Sequence, residues 1–165
     1  MVADARAIWQ FAVDEIDRDP GEIVLFGESL GGAVAIELAA WLSRQGTPPA
    51  GLITNATFDS IPDLAAAHYP VLPLRWLVWD RWGSIDRIGE VTCPVLMFHG
   101  TRDALIPIEH GRRLFEAAPD RSAGGVAKTF VPIENAGHND IPVSRLREEV
   151  LRLLETLGQS RIELD

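Results

Sequence analysis

Apolar residues along the chain fall into short unbroken runs that alternate with longer stretches of helical spacing. Residues 23–26 (Ile-Val-Leu-Phe), 51–55 (Gly-Leu-Ile-Thr-Asn), 95–98 (Val-Leu-Met-Phe) and 128–133 (Lys-Thr-Phe-Val-Pro-Ile) read as strands. An apolar run without polar alternation marks a strand covered on both faces, as in parallel sheets. Over residues 1–18 the spacing of Ala5, Ile8, Trp9, Ala12 and Ile16 predicts one amphipathic helix. Asp19-Pro20-Gly21 ends it and turns the chain into the first strand. Residues 33–42 predict a second helix, apolar on nearly all sides and therefore buried. Two more are predicted over 107–118, with Pro107 at the start, and over 143–157, with Leu146, Val150, Leu153, Leu154 and Leu157 on one face. Strands alternating with helices in this way predict an α/β domain, a parallel sheet with helices on both faces.

One stretch breaks the alternation. Residues 56–92 are irregular and interrupted by Pro62, Pro70 and Pro73, which predicts a lid-like insert within a single domain spanning 1–165. Trp76, Trp79 and Trp82 fall in a short helix that Pro73 would start. Two readings stand side by side: the indoles pack over the top of the domain, or Trp76 and Trp79 line an acyl or other apolar substrate.

Composition narrows the function classes. The net charge of −9 argues against a nucleic-acid or anionic-membrane partner. A single cysteine, Cys93, excludes an internal disulfide. No CxxC or HExxH spacing occurs, so no metal and no cofactor are expected. The first residues hold no long apolar run, hence neither a signal peptide nor a membrane segment in the chain as it stands. These features read as a cytoplasmic protein as the chain stands, with the oligomeric state left open.

Candidate chemistry begins where the first strand meets the second helix. Gly27-Glu28-Ser29-Leu30-Gly31 is a Gly-x-Ser-x-Gly motif, and between strand and helix it forces a turn that lifts the serine hydroxyl clear. Gly27 and Gly31 are expected to be required because a Cβ at either would collide with the neighbouring strand or helix. A serine hydroxyl needs a base to take its proton, and the base needs an acid to hold its tautomer. In a parallel sheet the loops leaving the carboxyl ends of strands converge on one edge. Asp103 leaves the third strand and His138 the fourth, so the expected nucleophile, acid and base are Ser29, Asp103 and His138. Asp59, after the second strand, is a substitute acid on the same logic. His99 lies at a strand end ahead of the acid and is expected to be structural, whereas His68 and His110 sit in the insert and on a helix. Glu28 is expected to pair locally, away from the histidine.

Residues 23–32, 55–64, 93–103 (Cys-Pro-Val-Leu-Met-Phe-His-Gly-Thr-Arg-Asp) and 136–140 (Ala-Gly-His-Asn-Asp) resemble the α/β-hydrolase superfamily, in particular its serine-aminopeptidase-type and depalmitoylase-like branch. The resemblance covers nearly the whole chain, and its Ser…Asp…His order matches. It implies the α/β-hydrolase fold, the three roles just given, and the Leu30 backbone N–H as an oxyanion donor. It implies a small-molecule or acyl/peptide substrate without fixing which one, since that branch includes esterases, thioesterases and amidases.

Members of that family begin earlier, with a strand and His-Gly loop that supply a second oxyanion donor. Nothing before Ile23 here reads as that strand, so the chain is expected to be the C-terminal portion of a longer enzyme. The first strand would then be an open sheet edge, and an upstream segment would reopen the question of localisation. The function expected is a serine hydrolase of ester, thioester or amide bonds working through an acyl-serine intermediate. The alternative is a non-catalytic remnant of the fold that binds a partner protein.

Overall fold

The computed structural model describes residues 1–68 and 83–162. The elements run α1 (Val2–Gln10), β1 (Val24–Glu28), α2 (Leu30–Gln45), β2 (Gly51–Asn55), α3 (Ile61–His68), α4 (Ser84–Ile88), β3 (Val95–Gly100), α5 (Ile108–Ala117), β4 (Thr129–Ile133) and α6 (Val143–Ile162). All three strand pairings are parallel and the order is β1-β2-β3-β4. This is the predicted α/β class.

Unbroken apolar strands need cover on both faces, and they have it. Leu52, Val95 and Met97 meet Ile36 and Ala39 of α2, Ile88 of α4 and Leu114 of α5. On the opposite face Ile53, Leu96, Phe98 and Val131 meet Leu146, Val150 and Leu153 of α6, whereas Leu154, expected on the same face, is 44% exposed. Helix α2 is buried along most of its length, as its all-round apolar pattern predicts, because α1 covers what the sheet does not.

The predicted 1–18 helix is corrected. The α-helix stops at Gln10, and Phe11–Glu15 form a π-helical turn. The Ile16 N–H bonds to the Phe11 carbonyl, five residues back, so the ladder gains a residue and the apolar spacing slips. Only Trp9 of that helix is buried, whereas Ile8 is 70% and Ile16 47% exposed.

The insert expected at 56–92 is described only at its two ends, α3 and α4. Trp76, Trp79 and Trp82 lie outside the described residues.

Candidate functional site

Parallel registers place Glu28 beside Asn55 and Asn55 beside Phe98, with Gly100 beside Ile133, so the carboxyl ends of all four strands open at one edge. Ser29 stands there between β1 and α2 with φ 53° and ψ −120°, a conformation uncommon for a side chain with a Cβ. Holding a residue in such a region costs about 1–3 kcal/mol and requires that its neighbours leave no alternative. They do so here. The Ser29 N–H bonds the Asn55 carbonyl at 2.9 Å, and the Ser29 carbonyl accepts the Gly32 N–H at 3.0 Å. A Cβ on Gly27 would lie 2.3 Å from the Gly31 carbonyl oxygen, so the required glycine at that point is confirmed.

The second required glycine is misassigned by the sequence. A Cβ on Gly31 would meet nothing within 4 Å, whereas one on Gly32 would lie 1.8 Å from Thr57 Oγ1. Close approach falls one residue later, because the loop after β2 presses on the third residue of α2, in its first turn. Leu30 opens α2. Its N–H belongs to the first turn, whose donors have no intrahelical acceptor and face the positive end of the helix dipole.

Two loops meet at the other side of the edge. The Arg102 N–H bonds the Ala136 carbonyl at 2.8 Å, and the Asn135 N–H bonds Thr101 Oγ1 at 2.9 Å. Gly100 permits this contact, since a Cβ there would lie 2.4 Å from the Ala136 carbonyl oxygen. Asp140 accepts the Gly137 N–H and closes the turn that carries His138. The result joins two residues far apart in sequence: His138 Nδ1 lies 2.8 Å from Asp103 Oδ2. Asp103 is fully shielded and its Oδ1 accepts the N–H groups of Leu105 and Ile106 at 2.9 and 2.8 Å. A carboxylate only accepts, so the His138 proton sits on Nδ1 and Nε2 offers its lone pair.

Of the expected site residues, Asp103 and His138 are hydrogen-bonded to each other, and Ser29 stands at the same edge. No hydrogen bond joins Ser29 to His138 among the described residues. Asp59 is engaged elsewhere, its Oδ1 2.6 Å from His110 Nδ1 and its Oδ2 2.5 Å from Arg113 Nε. Glu28 pairs locally, accepting from Asn55 Nδ2 at 3.0 Å. His99 bonds the Ile106 carbonyl. Among the described residues no group of three or more His, Cys, Asp or Glu is arranged to hold a metal, and no helix is long and apolar enough to cross a membrane.

No protein-family model matches the chain. It is 41% identical over 140 residues to an uncharacterized protein of Mycobacterium tuberculosis, covering 85% of this chain and 46% of that protein. It is 31% identical over 150 residues to the lysophosphatidylserine lipase ABHD12 of Danio rerio, covering 82% of this chain and 39% of the lipase. The chain thus spans less than half the length of these relatives. Its fold matches the crystal structure of an alpha-beta hydrolase from Vibrio vulnificus with a TM-score of 0.70 at 18% identity, over 94% of this chain and 55% of that one. The sheet, its order and these likenesses together show that the chain belongs to the α/β-hydrolase superfamily.

Proposed function

We propose that this chain carries the catalytic residues of a serine hydrolase that cleaves a carboxylic ester, thioester or amide bond. Ser29 is the nucleophile, His138 the general base and Asp103 the acid that holds the imidazole. The observation that carries this reading is the 2.8 Å bond from His138 Nδ1 to buried Asp103 at the edge where Ser29 stands in its strained turn.

The chemistry follows from that arrangement. His138 Nε2 removes the Ser29 proton as Oγ attacks the substrate carbonyl carbon. The tetrahedral oxyanion is met by the Leu30 N–H at the start of α2, and removing one such donor typically costs about 2.7–4 kcal/mol of transition-state stabilisation. Collapse expels the alcohol, thiol or amine, which takes the proton from His138, and leaves an acyl-serine. Water, activated by the same imidazole, then releases the acid. No cofactor takes part in this sequence. The lipase activity named for the Danio rerio relative supports an acyl substrate. Trp76 and Trp79 belong to this reading as walls for that group, and residues 56–92 as the insert that carries them.

A fluorophosphonate probe is expected to label the chain at Ser29, and Ser29→Ala is expected to lose the label. Labelling that survives the substitution moves the nucleophile elsewhere and defeats the proposal.

A further inference from the structure

His99 is the penultimate residue of β3, just ahead of the turn that carries the acid, and its ring is almost wholly buried. Its Nε2 lies 2.8 Å from the Ile106 carbonyl oxygen. A carbonyl only accepts, so Nε2 bears the proton. The Ile106 peptide is thereby held on both sides: its N–H by Asp103 Oδ1 at 2.8 Å, its carbonyl by His99. The same Nε2 stands 3.7 Å from Asp103 Oδ2, the oxygen bonded to His138. Room for the ring is made by α5, where a Cβ on Gly111 would lie 2.4 Å from His99 Nδ1.

Three titratable groups face this ring: Asp103 from the following turn, His110 from α5 and His138 from the loop after β4. Burial pushes the His99 pKa below the ordinary histidine range. The Ile106 carbonyl and the Asp103 charge pull the other way without overcoming it, and His110 and His138 add to the depression. Charge matters here because a cation at 3.7 Å would compete with His138 for the Asp103 carboxylate. A neutral donor fixes the turn and leaves that charge to the base.

We propose that His99 is a positioning residue for the Asp103–His138 pair: as a neutral Nε2–H donor it anchors Ile106, whose N–H fixes Asp103 Oδ1 and leaves Oδ2 to His138. Its effect on rate rests on the serine-hydrolase reading, but its effect on the pair does not. Nitrogen NMR of the histidine-labelled chain at neutral pH is expected to show His99 uncharged and protonated on Nε2. A charged ring, or the Nδ1–H tautomer, overturns the proposal. His99→Gln keeps a donor to Ile106 and is expected to preserve the downfield proton resonance of His138 Nδ1–H. His99→Met keeps the bulk without the donor, and is expected to lose that resonance and to lower kcat about 100-fold with KM unchanged, as misplacing a catalytic group by an ångström does. Equal behaviour of the Gln and Met variants, or an undisturbed resonance in His99→Met, overturns the proposal as well. Should the Met variant fail to fold, the tautomer of the unsubstituted chain decides. Failure of Ser29 to react with a fluorophosphonate would sink the hydrolase reading while leaving the tautomer and resonance outcomes to judge His99.

Discussion

At the scale of single residues, two neighbouring glycines separate what a motif predicts from what packing demands. A methyl group on Gly32 would drive into Thr57, a buried β-branched side chain that also bonds the Asn55 carbonyl at 3.1 Å and has nowhere to turn. Gly32→Ala is therefore expected to destabilise by about 1–3 kcal/mol, the usual cost of overpacking a close-packed site. Gly31→Ala meets open space among the described residues and is expected to leave the urea midpoint within error of the parent. A reversed order of the two midpoints would show that the close approach to α2 falls at Gly31 after all. The motif makes Ser29 legible because strand, tight turn and helix are local in sequence. Which glycine touches Thr57 is not local: it depends on how the loop after β2 settles against α2. His138 and Asp103 were readable for a third reason, since strand order and parallel direction alone bring their loops to one edge.

At the scale of elements, Asp59 gathers three helices that lie well apart in sequence. It precedes α3, its carbonyl accepts the Ile85 N–H of α4 at 3.1 Å, and its carboxylate holds His110 and Arg113 of α5. Burial pushes this carboxyl up, but hydrogen bonds from His110 and Arg113, with their charge, outweigh it and bring the pKa below the ordinary 3.8. A depressed folded pKa contributes stability that is fully present above the unfolded value and is lost as pH falls through the folded one. Asp59→Ala leaves a buried imidazole without its acceptor, and breaking a buried pair of this kind costs about 3–5 kcal/mol. Urea unfolding at neutral pH is expected to show that loss, and the gap between Asp59→Asn and the parent is expected to close as pH drops below 3.8. A gap that persists in strong acid would mean the knot is held by packing and not by charge. Sequence spacing offered Asp59 as an alternative acid because it too follows a strand. Its partner 51 positions away could not be read, since nothing local announces that α5 turns His110 inward. The π-helical turn at Phe11–Glu15 escaped for a related reason: an apolar period fits an unbroken helix equally well until the ladder itself is seen.

At the scale of the whole molecule, the sheet is covered on both faces, while its β1 edge has no strand against it among the described residues. β1 pairs only with β2 among the described strands, so every backbone group on its outer side lacks a strand partner. The side chains nearby sharpen the consequence. Phe26 is 52% exposed on that strand and borders an apolar groove with Ile8, Trp9, Leu25 and Val34. Phe11 and Ile16 are exposed beyond it, where the π-helical turn rotated the end of the first helix out of register with the core. A flat apolar edge of this kind templates pairing with another strand, and natural sheets blunt it with lysine or proline that this strand does not carry. The acidic balance of the chain slows encounter between copies but is screened beyond about 10 Å at 0.1 M salt, so it does not protect an edge at contact. Sedimentation velocity is therefore expected to show association that grows with concentration and salt. Phe26→Lys is expected to suppress it, because a charge on the edge must be desolvated before a second strand can dock. Association unchanged by Phe26→Lys would place the contact elsewhere, and a wild-type chain that stays monomeric through high micromolar concentration would show that the groove beside β1 is shielded well enough to leave its backbone to water.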